Sequence, residues 1–138
     1  MKIRRNCTQK TKKKRRGTAT AELAVCLPAI VLIVFASIEC CNMIFLKQAL
    51  TAATYEGARV MIRSKDSQPL ALSTAQSLLA SRNINDETIT FTPLDTDNQS
   101  KGTLLKITAS APCSSNSITP QWFFGGNTMS VTTTMVKE

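Results

Sequence analysis

The chain of 138 residues contains no histidine, and this absence excludes several kinds of catalytic site. Histidine is the most common general base in enzymes, the usual partner of nucleophilic serine and cysteine, and a frequent zinc ligand. The remaining side chains form no nucleophile–base pair and no metal-binding pattern in the sequence. We therefore expect a protein that is not an enzyme and that carries no cofactor and no metal ion.

The five cysteines do not have the spacing of a disulfide framework. Cys7 lies in the N-terminal tail, Cys26, Cys40 and Cys41 lie in or beside an apolar segment, and Cys113 stands alone in the rest of the chain. A solitary cysteine has no intrachain partner outside the membrane. The sequence therefore predicts no structural disulfide.

Acidic residues are absent from the first sixteen positions, which hold nine of the seventeen lysines and arginines. The rest of the chain holds eight basic and nine acidic residues, so the formal charge of +8 belongs to the tail. A basic tail can bind nucleic acid, but positive charge directly before an apolar run is the usual signal for a cytoplasmic N-terminus. The membrane interpretation is favoured, and we expect no nucleic-acid partner.

A membrane-length apolar run follows the tail. Residues 23–38 carry no formal charge, and as a helix the segment 18–38 spans about 31 Å, the thickness of a bilayer core. Pro28 lies inside the run, where membrane helices tolerate proline but bend or loosen. We expect Glu39 to be a solvated charge near the outer interface, where a carboxylate is easily accommodated.

The apolar run continues without a break into an amphipathic stretch. Apolar and small residues recur there at steps of three and four, which predicts one face of a helix. The members of this stripe are Leu46, Leu50, Ala53, Gly57, Val60 or Met61, and Ser64. One continuous helix over residues 18–64 would be roughly 70 Å long, with its second half packed on a soluble domain.

The second half of the chain predicts a short helix and then strands. Ser67-Gln68-Pro69 indicates a helix start, with Pro69 in the first turn and the helix end near Arg82. The period then changes to two in stretches rich in β-branched residues, which predicts three half-buried strands. Their inward-facing residues are Ile89 and Phe91, then Leu105, Ile107, Ala109 and Ala111, and finally Met129, Val131, Thr133 and Met135.

These elements predict an α+β fold. A small antiparallel sheet of about three strands would be covered on one face by the long helix. The predicted segments are a basic cytoplasmic leader (1–17), a transmembrane helix (18–38), an amphipathic continuation of that helix (39–64) and an extracytoplasmic α+β domain (65–138).

Two sets of residues in the helical part resemble a known family. Gly17-Thr18-Ala19-Thr20-Ala21-Glu22 resembles the processing site of class III leader peptides, in which prepilin peptidase cuts after a glycine and a glutamate stands fifth in the mature chain. Pro28, six residues after Glu22, and the run Glu56-Gly57-Ala58-Arg59 resemble the TadE-like pseudopilins of the tight-adherence (Tad, or Flp pilus) system. Leu23 stands where the Flp pilin typically has tyrosine, which favours a pseudopilin over the main pilus subunit.

The resemblance implies a pilin-like fold and a structural role in a Tad type IV pilus and secretion machine. It implies cleavage between Gly17 and Thr18 and a role for Glu22 in processing or subunit docking. The implied partners are prepilin peptidase, other Tad pseudopilins, the Flp pilin, the inner-membrane assembly platform and membrane lipid. The implied location is the bacterial inner membrane, as a single pass with a cytoplasmic N-terminus and a periplasmic C-terminal domain, or the pilus or periplasm after processing.

The chemistry of Glu22 can also be argued without the family. Cleavage after Gly17 would create an α-amine on Thr18 at the end of an apolar helix. An amine and a carboxylate are each costly to bury unless they pair, so Glu22 of one subunit is expected to meet the Thr18 amine of a neighbour. The carboxylate is also expected in the first helical turn, where the dipole favours it. The simpler alternative is that Glu22 only marks the cytosolic interface.

Two other functions remain open. The chain could be an uncleaved single-pass anchor that presents a binding module. It could also be a secreted domain whose ordinary signal peptide ends near residues 49–53, although that site lies well beyond the apolar run.

Two further patterns are weak. Asp95, Asp97 and Gln99 hint at a calcium loop, but Ser100 replaces the turn glycine and Lys106 stands where a bidentate glutamate belongs, so a solvated turn is favoured. Trp122-Phe123-Phe124 is expected to be a lid packed on the sheet, with a partner-contact patch as the alternative.

Overall fold

The computed structural model describes residues 16–63, 67–93, 100–118 and 125–137. Its elements in chain order are α1 (Arg16–Arg63), α2 (Ser67–Ser81), β1 (Thr88–Thr92), β2 (Leu104–Pro112), a short 3₁₀ helix (Ser114–Asn116) and β3 (Thr128–Val136). The predicted α+β fold is confirmed: a long apolar helix, a short second helix and a three-stranded antiparallel sheet. The chain divides into two compact units, Met1–Phe35 and Ala36–Glu138.

The described part of the first unit consists of α1. Every described side chain from Gly17 to Phe35 is exposed. Within the part of the chain that the structure describes, α1 is the helix long and apolar enough to cross a membrane, and only 6% of its most apolar 18-residue window is buried. Such a helix fits a single-pass membrane anchor, because a helix that is apolar all round must be covered by protein or by lipid.

One expectation about α1 is wrong. The helix begins at Arg16, so Glu22 does not lie in its first turn, where the helix dipole would favour a carboxylate. The physical reason is that Arg16 and Gly17 are helical in the uncut chain, which places the helix N-terminus before Thr18. Only a chain that begins at Thr18 would bring Glu22 close to the helix end.

The sheet of the second unit is an antiparallel meander in the order β1-β2-β3. The predicted alternation holds: Ile89 pairs with Ala109, and Ala109 pairs with Val131 on the inner face. The inward residues of the central strand β2 are fully buried, whereas those of β1 and β3 are half-buried because these strands form the two edges. The opposite face carries mainly threonine and serine and is largely exposed.

The core lies between the inner face of the sheet, α2 and the second half of α1. Two clusters of buried side chains follow one another along α1. The first contains Leu46, Ala49, Leu50, Ala53, Ala75, Leu79, Ile84, Ala109, Ala111 and Cys113, and the second contains Ala58, Met61, Ala71, Leu105 and Ile107. The stripe predicted on α1 is therefore the buried face, and Met61 rather than Val60 is its fully buried member.

The expectation that Glu39 is a solvated interfacial charge is wrong. Glu39 is only 5% exposed within the second unit. Two helical turns separate it from Leu46, so both side chains lie on the same side of α1, the side that packs on the domain. The carboxylate is buried because it belongs to the start of the core-facing stripe.

Some predicted features lie outside the described residues. They are the leader up to residue 15, Ser64, the polar turn with Asp95, Asp97 and Gln99, and the aromatic run Trp122-Phe123-Phe124.

Candidate functional site

The predicted cleavage site lies near the start of α1. Gly17 is the second residue of the helix and Thr18 the third, and both are exposed. A Cβ added at Gly17 would have no neighbouring atom within 4 Å, so the described structure leaves the glycine open on its side-chain side.

Glu22 lies on the exposed surface of the same helix, five residues after Gly17. Together with Ala21, Val25 and Cys26 it lines a shallow, almost entirely apolar depression. Among the described residues, none forms an ion pair with Glu22. A single carboxylate on an apolar helical surface is expensive in lipid unless a cation is brought to it from elsewhere.

Pro28 lies inside α1 and is exposed. Proline has no N–H group, so the carbonyl of Ala24, four residues earlier, lacks its usual helical donor. The helix nevertheless continues through this position to Arg63.

The run Glu56-Gly57-Ala58-Arg59 lies on the part of α1 that packs on the domain. A Cβ at Gly57 would stand 3.1 Å from Cδ1 of Ile107, 3.4 Å from the carbonyl oxygen of Ala71 and 3.5 Å from Cβ of Ala75. Glycine therefore allows α1 to approach both β2 and α2 closely at this point. The middle of the run is thus explained by packing.

The two charged residues of the run form an ion pair on the surface. The guanidinium of Arg59 lies 3.7 Å from a carboxylate oxygen of Glu56, one helical turn away, and both side chains are substantially exposed. Exposed pairs of this kind contribute little to stability, about 0.5 kcal/mol or less. Glu56 and Arg59 are therefore free to serve contacts outside the chain without loss of the fold.

Sequence reasoning missed a polar link between helix and sheet. Thr54 is fully buried on α1, and its hydroxyl lies 3.0 Å from the carbonyl oxygen of Leu50. The hydroxyl of Thr133 on β3 donates to the Thr54 hydroxyl at 2.8 Å. The sequence did offer one indication of this link. Thr54 lies beside Ala53 and Ala58 on the buried face of α1, where a polar side chain needs a hydrogen-bond partner.

The described cysteines are free thiols. Cys26, Cys40 and Cys41 are exposed, and Cys113 is buried at the end of β2. Burial raises the pKa of the Cys113 thiol above its usual value, and a backbone hydrogen bond with Met129 acts in the opposite direction. Within the described residues, no group of histidine, cysteine or acidic side chains is arranged to hold a metal ion.

The predicted site residues thus belong to two different units. Gly17, Thr18, Glu22 and Pro28 lie in the first, and residues 56–59 lie in the second. The first group offers an exposed Gly17–Thr18 bond and a carboxylate, Glu22, that has no ion pair among the described residues. The second group secures the helix to the domain.

Comparison with known proteins relates this helix to one family. No curated protein and no solved structure matches the chain. The profile of the family described as TadE-like protein matches residues 17–59, which begin at Gly17 and end at Arg59. The predicted resemblance is therefore confirmed over residues 17–59, which are similar to the TadE-like family.

Proposed function

We propose that the chain is a minor pseudopilin of a Tad (Flp) pilus machine and that prepilin peptidase cuts it between Gly17 and Thr18. The match to the TadE-like family indicates a component associated with the Tad pilus. The proposed role is structural: the protein is inserted in the bacterial inner membrane with its N-terminus in the cytoplasm and its domain in the periplasm. It assembles there with another pseudopilin, the Flp pilin and the assembly platform.

The observation that carries the proposal is where the family match begins. It starts at Gly17, the last residue of the proposed leader, and leaves out the basic residues before it. The match therefore supports a boundary at Gly17 between the basic segment and the helix.

Exposure along α1 supports assembly through this helix. From Gly17 to Phe35 the described side chains are exposed and mainly apolar, so the chain itself does not cover them. In the membrane, lipid covers such a surface, and in a filament neighbouring helices can do so. Glu22 would fix the alignment of neighbouring subunits. Its carboxylate and the Thr18 amine of a neighbour are each costly to bury alone, and they can pair only when the two helices are correctly aligned.

Mass spectrometry of the membrane-extracted protein tests the cleavage. We expect a mature N-terminus at Thr18 in cells that express prepilin peptidase and an intact N-terminus in cells that lack it. An N-terminus at Met1 in peptidase-positive cells would instead support the uncleaved anchor. An N-terminus near Ala53 would support the ordinary signal peptide.

The variant Gly17→Val tests whether the peptidase recognises Gly17, without damage to the fold as a second explanation for lost cleavage. Because nothing lies within 4 Å of a side chain at this position, the substitution should leave the described structure intact while blocking cleavage. Ala24→Val is the matched control, since it adds bulk at another exposed position of the same helix. Normal processing of Gly17→Val would contradict the assigned site.

A further inference from the structure

The exposed surface of α1 stays apolar beyond the predicted end of the transmembrane segment. From Leu23 to Phe45 no exposed side chain carries a charge, because Glu39 is buried in the second unit. The next charged side chain exposed on α1 is Lys47. The apolar surface therefore ends about two turns later than residue 38.

The length of this surface suits a bilayer. Residues 23–45 rise about 33 Å along a helix, and the hydrocarbon core of a bilayer is about 30 Å thick. Ile44 is 57% exposed and Phe45 is 50% exposed, so both are large apolar side chains that the chain leaves uncovered. Lys47 follows at a position where its ammonium group can reach lipid phosphates.

The second unit presents one defined end at the level of Phe45. Leu46 and Cys113 belong to the same buried cluster, whereas Met61 and Leu105 belong to the other cluster. The helix therefore runs antiparallel to β2, and the C-terminal end of β2 lies beside the last apolar turn of α1.

A second exposed apolar residue lies at this same end. Ile118 follows Cys113 by five residues and is 90% exposed. The turn before it is fixed by the side chain of Asn116, whose amide nitrogen donates to the carbonyl oxygens of Pro112 at 2.8 Å and Asn85 at 3.0 Å. The Asn116 side-chain oxygen also accepts the backbone N–H of Asn85 at 2.7 Å.

We propose that this end of the second unit docks on the lipid surface. Its contact residues, Ile44, Phe45 and Ile118, are called the basal surface. Ile44 and Phe45 enter the upper hydrocarbon region, and Ile118 lies among the lipid headgroups. Lipid is favoured over a protein partner because Ile44 and Phe45 continue the membrane-length apolar face of α1 without an intervening exposed charge on that helix. The proposal rests on α1 spanning the membrane and is independent of cleavage and of the Tad role.

Fluorescence quenching of the full chain in phosphatidylcholine vesicles tests the docking. Cys7, Cys26, Cys40 and Cys41 are replaced by serine, and the buried Cys113 is retained and measured as the background. Single cysteines are introduced by Phe45→Cys and Ile118→Cys, with Leu104→Cys as the matched control. Leu104 is an apolar residue, 58% exposed, at the opposite end of β2. Each site carries an environment-sensitive fluorophore.

We expect nitroxide lipids labelled near the headgroup to quench the probes at residues 45 and 118 several-fold more than the probe at residue 104. Aqueous iodide should show the reverse order. Equal iodide quenching at residues 118 and 104 would overturn the docking. Protection of residue 118 that appears only after a partner protein is added would overturn it too, because protein rather than lipid would then cover the surface.

A Leu27→Cys probe distinguishes failure of the docking from failure of the anchor. Leu27 lies well inside the apolar run, so mid-chain nitroxide lipids should quench it strongly. Strong quenching at residue 27 with residue 118 in water overturns the docking alone. Absence of quenching at residue 27 overturns the membrane anchor, and the docking with it.

Discussion

At the scale of single residues, Gly57 shows how one position in a family motif serves packing. The nearest atoms to a side chain there come from Ile107 on β2 and from Ala71 and Ala75 on α2. Three elements therefore meet at a point where only a hydrogen atom fits without adjustment. Ala58, the next residue, is fully buried in the second cluster and is small for a similar reason.

Gly57→Leu should destabilise the domain by about 1–3 kcal/mol, the usual cost of overpacking a core. The side chain of Ile107 can move, but the carbonyl oxygen of Ala71 belongs to a helix and cannot move without displacing α2. Chemical denaturation in detergent measures the change. Ala80→Leu, at an exposed position of α2, is the control and should change stability by about 0.5 kcal/mol or less. Equal effects of the two substitutions would refute the close approach at Gly57.

Cys113 should make the domain less stable as the pH becomes alkaline. Burial raises the pKa of its thiol in the folded chain, so the unfolded chain loses this proton first as the pH rises. The contribution is complete below the unfolded pKa, about 8.5, and is lost as the pH rises through the folded pKa. The free energy of unfolding of the wild type relative to Cys113→Ala should therefore fall as the pH rises above about 8.5. A pH-independent difference would contradict this assignment.

At the scale of elements, α1 is joined to the sheet by a hydroxyl pair as well as by apolar contacts. Thr133 on β3 donates to Thr54 on α1, and Thr54 is fully buried. Apolar side chains can slide over one another, whereas a hydrogen bond between two particular hydroxyl groups defines one alignment. The pair therefore specifies how β3 is aligned with the helix.

Thr54→Val and Thr133→Val should each destabilise the domain by about 1 kcal/mol, because valine keeps the shape and removes the hydroxyl. The double variant should lose less than the sum, since each single substitution already breaks the shared bond. Thr132→Val is the control: its hydroxyl lies 2.9 Å from that of Thr108 on the exposed face, where water can replace it. Strict additivity of the two buried substitutions would show that the hydroxyl groups are not coupled.

The sequence predicted the helices and strands well because their periodic patterns are local. The strand residues of β1 and the helix start at Ser67 needed only alternation and a proline in the first turn. Glu39 was misplaced because the side of α1 to which it belongs is decided by the packing of Leu46, two turns away, and its charge alone suggested solvent. The Thr54–Thr133 bond joins residues far apart in sequence, so the local pattern around Thr54 could indicate a need for a partner but could not identify Thr133.

At the scale of the whole molecule, charge and apolar surface are separated along the chain. Residues 1–17, the proposed leader, carry nine basic residues, and the rest of the chain holds eight basic and nine acidic residues. Removal of the leader would therefore change the formal charge from +8 to −1 and leave an amine beside the apolar surface of α1. The proposed cut would remove the basic segment that orients insertion into the membrane and would leave a nearly neutral subunit. Glu22 would then be the acidic residue nearest to the new N-terminus.

Glu22→Gln should therefore be cut normally after Gly17 but fail in assembly. The substitution keeps the size of the side chain and removes the charge that would pair with the Thr18 amine of a neighbour, while the peptide bond at Gly17 stays exposed. The measurement is the amount of Flp pilin in the sheared surface fraction of cells that carry the variant as their only copy. Glu87→Gln is the control, because this glutamate precedes β1, lies outside the matched residues 17–59 and should leave pilus yield unchanged. Normal pili with Glu22→Gln would show that Glu22 only marks the cytosolic interface, since an acid in that role has no partner to lose.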